Sequence, residues 1–430
     1  MTDHPERHRQ VASAPLALIV LLAATALTLL APSLASATGK RALVTVQTVK
    51  VGATGNPSVG VIPFKDAIYE SCADAPPSKR GCVEVGDVDY SYGIGQLEIT
   101  VEQWVAFLNT VDPDGRNRRH LYARTQSSSR WPEYGQVNRS RRTRKGKHYS
   151  VASQAWADKP YGFASFLSAA RFVNSLYNGR LLSKRRSPGN GFEYARYKVR
   201  LSPRTERGMY DLRQKKATRS AKRGFVVPSQ NEWMKAAYYD PDGGGTLPWW
   251  KYPTNPGVFG DQYATAPSRT ELDFSTGDVT NAGEQPLANY RVEVDGVPPS
   301  EQAPTWCPPA AQTGPEGCSM DNPFGIDPDT YEKAYLGNVA GVGQALTTSP
   351  WGTLDQGGNA VEWTDTITPP PAGKSKRVWR RLHGGISNAP GIQMWPSAVG
   401  LQPQNNAFFD RVYPWLGFRI GVIGNLKVKR

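Results

Sequence analysis

The chain is short of the residues that most often hold transition metals. Its 430 residues include 4 cysteines and 5 histidines, and past the first forty positions only His120, His148 and His383 remain. None of those three is followed at the second position by a carboxylate, so the two-histidine, one-carboxylate triad of a non-haem iron site is not written here. Gly-x-Ser-x-Gly elbows, phosphate-binding loops and zincin helices are absent too, which removes the commonest hydrolase and nucleotide-binding chemistries. Only one apolar run is long. Val11 to Ala31 follows Arg7 and Arg9 and precedes Ala35-Ser36-Ala37, a small-x-small pattern that signal peptidase accepts. Cleavage after Ala37 is therefore expected, making residues 1–37 a signal peptide and the product secreted or periplasmic. The alternative is an uncleaved membrane anchor, since these 21 residues reach the ~20 that a bilayer requires.

What is abundant is turn-forming residue. Gly 42 and Pro 35, with a mean hydropathy of −0.50, describe a loop-rich globular chain rather than a helical one. Cys72 and Cys82 bracket one Pro/Gly-containing stretch, and Cys307 and Cys318 bracket another. Two local disulfides are the simplest of the three possible pairings, in keeping with an oxidising compartment. Zinc is the weaker alternative, because neither spacing presents two thiolates on one short knuckle.

The net charge of +14 is unevenly spread. From Arg116 to Lys147 there are eleven Lys/Arg against one acid, Glu133, and from Arg180 to Arg223 fifteen against three, Glu193, Glu206 and Asp211. Both stretches read as basic insertions, 116–147 and 180–223, and point to an anionic partner. No nucleic-acid module is recognisable in them, so an acidic polysaccharide or another cell-surface component fits better, with solvated loops lacking a partner as the bland alternative. A membrane enters only if the leader stays uncleaved.

Along the chain, Leu43 to Val46 and Asp89 to Glu98 alternate as strands. Thr100 and Gln103 form a capping box, and Val101, Trp104, Val105 and Leu108 recur at helical spacing before Asp112-Pro113 stops the helix. A second helix is expected from about Ser165 to Tyr177, and a third after the Ser229/Glu232 box. Short strands are expected from Arg377 to Leu382 and from Gly417 to Ile423. His120 and His148 lie in or beside the first basic stretch and are expected to be solvated.

Five blocks occur in order: Tyr92-Gly-Ile-Gly-Gln-Leu-Glu-Ile-Thr-Val-Glu-Gln-Trp-Val-Ala-Phe-Leu-Asn109, Phe225-Val-Val-Pro-Ser-Gln-Asn-Glu-Trp-Met-Lys-Ala-Ala237, Gly352-Thr-Leu-Asp-Gln-Gly-Gly-Asn-Ala-Val-Glu-Trp363, Leu382-His-Gly-Gly385 and Gly417-Phe-Arg419. Together they resemble the sulfatase-modifying-factor, or formylglycine-generating enzyme, domain over about Val46 to Val422. The resemblance implies a single α+β domain over 38–430, with an irregular C-type-lectin-like fold, few regular elements and loops held by calcium.

The third block supports calcium on its own terms. Asp355 and Glu362 flank two glycines that let the backbone turn tightly, so carbonyl oxygens can join two carboxylates around a hard cation. The resemblance assigns ligand roles to the side chains of Asp355 and Glu362 and to the carbonyls of Gly358 and Ala360. It suggests a second site from Asn289 and the carbonyl of Tyr290, completed by Asp329 and the carbonyl of Tyr331. An acid-bearing turn beside a buried Trp363 is the alternative reading.

Active relatives bind copper through two cysteines just after the Gly-Gly of the fourth block. Ala389 and Met394 stand at those positions, and neither supplies the thiolate that holds Cu(I). Copper and iron are accordingly not expected. His383, beside that groove, is a weak catalytic candidate, since a lone histidine in a strand more often packs than reacts. Trp249, Trp250, Trp351, Trp379, Trp395 and Trp415 offer faces for stacking on sugars or peptides, although tryptophans in a loop-rich fold serve mostly as core plugs. The expectation is a calcium-stabilised binding or structural module without formylglycine-forming activity. The alternative is a metal-dependent oxidoreductase of the same family, with His383 and Met394 as altered ligands.

Overall fold

The computed structural model describes residues 42–62, 68–69, 71–75, 82–123, 136–243, 248–258, 267–273, 276–283, 286–290, 339–370, 373–374, 377–387, 391–405 and 415–428. The leader, Ala389, Asp329, Tyr331, Cys307 and Cys318 lie outside these.

All three expected helices form: α1 (Val101–Val111), α2 (Phe166–Tyr177) and α3 (Gln230–Tyr238). Each begins with a reciprocal side-chain cap. Gln103 N–H donates to Thr100 Oγ1 at 3.2 Å while Thr100 N–H donates to Gln103 Oε1 at 3.0 Å. Ser165 and Ser168 do the same for α2, and Ser229 and Glu232 for α3, satisfying donors that the first helical turn would leave open.

Ten of the strands build two sheets. In chain order they are β1 (Leu43–Val51), β2 (Tyr92–Glu98), β3 (Arg180–Gly189), β4 (Phe192–Arg200), β5 (Gly224–Val226), β6 (Val361–Thr368), β7 (Trp379–His383), β8 (Gly400–Pro403), β9 (Leu416–Gly417) and β10 (Arg419–Ile423). The larger sheet runs β5-β10-β2-β1-β4-β3, antiparallel throughout. The smaller runs β8-β7-β6-β9, with only the β6–β9 pair parallel.

One face of the larger sheet, with Val44, Val46, Ile94, Val199 and Ile420, buries its apolar side chains with those of α1 and α2. Trp104 of α1 is fully buried, stacks on Tyr161 at 4.2 Å and meets Phe418 edge-on. A ring of this size removes about 150–250 Å² from water, roughly 4 to 6 kcal/mol before entropy is charged. A second apolar cluster gathers Val59, Val61, Val85, Trp233, Met234, Tyr238 and Trp249 under α3. The α+β, loop-rich expectation holds.

Two expectations need correction. Much of the second basic stretch is no loop: β3 and β4 form a hairpin inside the main sheet. Its turn, Asn190-Gly191, has positive φ at both residues (49° and 81°), the conformation an Asn-Gly pair adopts most readily. His148 is also not solvated. It is 8% exposed and its Nδ1 lies 2.8 Å from the carbonyl of Ser140.

Candidate functional site

The loop leading into β6 takes its shape from residues that tolerate left-handed backbone. Asp355, Gly358 and Asn359 have φ of 55°, 79° and 57°. At Gly358 a Cβ would sit 2.1 Å from the carbonyl oxygen of Asn289, so only glycine lets the two backbones approach. Asn359 N–H then donates to that same oxygen at 2.8 Å, and Gly358 N–H donates to Gly384 O at 2.7 Å. One tight loop thereby joins the Asn289 segment to the end of β7.

Three carboxylates and one guanidinium are buried where this loop meets β2 and β10. Glu362 and Arg419 are both 0% exposed by side chain. Arg419 Nε donates to both Glu362 oxygens (2.9 and 2.7 Å) and Nη2 to Oε1 at 2.5 Å, while Trp233 Nε1 donates to Oε2 at 3.0 Å. The guanidinium's remaining donors reach the carbonyls of Gly95, Gln96 and Leu354. Glu98, 2% exposed, accepts from Ala360 N–H and from Asn359 Nδ2, each at 3.2 Å. Asp355 accepts from Gly343 N–H.

Burial dominates the titration of the two remaining acids. It pushes the Asp355 carboxyl up to about 6, against the Gly343 hydrogen bond and the charge of Arg419. Burial also raises Glu98 well above the usual carboxylate range, with further upward pressure from Asp355 and Glu362. The cluster thus sets three carboxyl groups against one guanidinium, and burial favours the protonated form of two of them.

Of the ligand residues read from the sequence, Asp355, Gly358, Ala360 and Glu362 come together, and Asn289 meets Gly358 and Asn359, while Asp329 and Tyr331 of the second site lie outside the described residues. Tyr290 is buried, and its hydroxyl donates to the carbonyl of Pro267 at 2.5 Å. Sequence reasoning missed Glu98, Asn359 and the role of Arg419. An acid ending an apolar strand and an arginine inside the Gly-Phe-Arg block were the available signals. Among the described residues, no three His, Cys, Asp or Glu side chains are placed to hold a metal by themselves, so carbonyl oxygens would have to complete any coordination shell.

His383 is 1% exposed and stacks on Trp233 at 5.2 Å. Neither ring nitrogen has a hydrogen-bond partner among the described residues. Burial, helped by the charge of Arg381, pushes its pKa down to about 3, so the ring is neutral at physiological pH. Met394, at one of the two copper-cysteine positions, is fully buried beside Tyr252, Ala288 and Tyr290, and its carbonyl accepts from Tyr238 Oη at 2.7 Å. Cys72 and Cys82 form a disulfide beside the small sheet Val59–Val61, Ile68–Tyr69, Val83–Val85, and the described residues include no free cysteine. Of the six tryptophans proposed to line a groove, Trp249 is a core plug, and the other five are half-buried.

No family model matches the chain, and no curated protein matches it. Among solved structures it is similar to PvdO from Pseudomonas aeruginosa, at 11% identity over 89% of this chain and 94% of that one, with a TM-score of 0.37. It is also similar to Treponema denticola variable protein 1, at 16% identity over 88% and 95%, with a TM-score of 0.36. Among the described residues no helix is long and apolar enough to cross a membrane.

Proposed function

We propose that the chain is an exported, calcium-stabilised binding module on the C-type-lectin-like scaffold of the sulfatase-modifying-factor family, and that it does not form formylglycine. The observation that carries this reading is the buried acid cluster: three carboxyl groups, Glu98, Asp355 and Glu362, gathered with one guanidinium, Arg419, beside a glycine-cradled loop. Buried charge is tolerated when it is paired or ligates a metal. Calcium, a hard cation served by carboxylate and carbonyl oxygens, suits this donor set. In the proposal Asp355 and the carbonyls of Gly358 and Ala360 hold the ion, with Glu98 as a further acid. Glu362 has both oxygens engaged by Arg419 and Trp233, so its part is to fix that arginine or to share one oxygen with the ion.

The non-catalytic half of the proposal rests on Ala389 and Met394, neither of which supplies the thiolate that the copper site of active relatives uses. Its test is incubation of the purified chain with Cu(I), oxygen and a Cys-x-Pro-x-Arg peptide, the sulfatase motif, followed by mass spectrometry. The expected outcome is unmodified peptide. Conversion of the cysteine to the aldehyde would overturn the reading.

A further inference from the structure

The outward face of the β3–β4 hairpin carries an arrangement that works against the sheet it belongs to. In the β3–β4 register Arg180 stands opposite Arg200, Ser183 opposite Lys198 and Arg185 opposite Arg196. Leu181, Tyr197 and Val199 are buried in the core, and the register shift between Leu181 and Ser183 puts Arg185 on the face of Arg180, so the five cations project from the other face. Arg180, Arg185, Arg196 and Lys198 are exposed and Arg200 is half-buried. Directly opposed side chains in an antiparallel pair have Cβ atoms about 4.5–5.5 Å apart, and like charges there destabilise the pairing. Among the described residues no carboxylate pairs with any of the five. Arg196 has only the neutral amide of Gln47, at 3.0 and 3.2 Å.

The surroundings of these charges indicate their complement. Thr45 and Gln47 of β1, paired with Lys198 and Arg196, and Ser183 of β3 interleave hydroxyl and amide groups among the cations. The row continues from Gln47 to Gln96 of β2, whose carbonyl accepts from Leu354 N–H in the loop that carries Asp355. No aromatic residue stands opposite any of the five cations, the nearby Tyr194 and Phe192 being half-buried and packed edge-on against each other at 6.3 Å, and no apolar cluster lies among the cations to enter a bilayer. We infer that this face, not the first basic stretch, binds an extended acidic polysaccharide, whose carboxylates neutralise the opposed arginines while its hydroxyls bond to Thr45, Gln47 and Ser183.

This rests on the reading of the chain as a binding module. Its failure would be distinguishable, because calcium dependence is read separately from thermal stability in chelator. The probe is polygalacturonate, titrated into the full chain by calorimetry at two salt concentrations. Two variants remove equal charge: Arg185→Gln with Arg196→Gln on the hairpin, and Arg141→Gln with Arg142→Gln in the first basic stretch. The hairpin variant is expected to bind about tenfold more weakly and with a shallower salt dependence, and to melt no lower than wild type because a repulsive pair is gone. The other variant is expected to stay within about twofold. Absence of wild-type binding, equal loss in both variants, or tighter binding of duplex DNA or of equimolar phosphatidylserine and phosphatidylcholine vesicles at the same salt would each overturn the proposal.

Discussion

Replacing Arg419 with methionine is expected to be among the most damaging single changes available in this chain. The guanidinium is fully buried, neutralises Glu362 through both carboxylate oxygens and caps three main-chain carbonyls. Methionine leaves a buried carboxylate without its counter-charge beside Asp355 and Glu98, and leaves those carbonyls without a donor. Breaking a buried pair by removing one partner costs about 3–5 kcal/mol, a large part of the roughly 5–15 kcal/mol by which a protein is stable. Glu362→Gln introduced alongside removes the stranded charge, so the double variant should recover about 1–3 kcal/mol relative to additivity. The assay is urea denaturation followed by circular dichroism on the four corners of that cycle, with chelator present throughout. A single variant within about 1 kcal/mol of wild type, or strictly additive losses, would refute the assignment of this pair as the keystone of the loop.

Three further outcomes follow from the same packing. Lys159 is fully buried, donates to the carbonyls of Gly277 and Val339, and has its pKa pushed down to about 8 by burial. The unfolded chain therefore binds more protons between pH 8 and about 10.5, so stability should rise by about 3 kcal/mol across that window, and Lys159→Met should flatten the rise in urea midpoints. Gly358→Ala, which places a Cβ 2.1 Å from the Asn289 carbonyl at a φ of 79°, should cost at least about 2 kcal/mol in the same titration, and a neutral result would contradict the cradle. Reducing the Cys72–Cys82 bond, which spans a separation of 10, should cost about 2–3 kcal/mol, seen as a lower thermal midpoint in reductant than in its absence.

The parts of the fold legible in the sequence were those written locally. Capping boxes at Thr100 and Ser229 sit three residues from their partners, and the apolar stripe of α1 repeats within one helix, so both can be read without knowing the topology. The β3–β4 hairpin was equally local, and its Asn190-Gly191 turn was a readable signal, but the density of Lys and Arg directed attention to charge instead of alternation. The candidate site was half legible. Asp355, Gly358, Ala360 and Glu362 fall in one block, whereas Arg419 pairs with Glu362 across 57 residues and Glu98 meets Ala360 across 262. Nothing in a local window specifies such pairings. They arise because β2, β6 and β10 converge after folding, and that convergence turns separate acids into one crowded cluster.

The most direct test of a calcium-stabilised scaffold is thermal unfolding of wild type and Asp355→Asn, first in excess chelator and then in calcium at a hundred times the dissociation constant fitted for wild type. Saturation to that degree adds about 2.7 kcal/mol, which should raise the wild-type midpoint by about 3 °C or more and leave the variant unmoved. Superimposable wild-type curves in chelator and in calcium would contradict it.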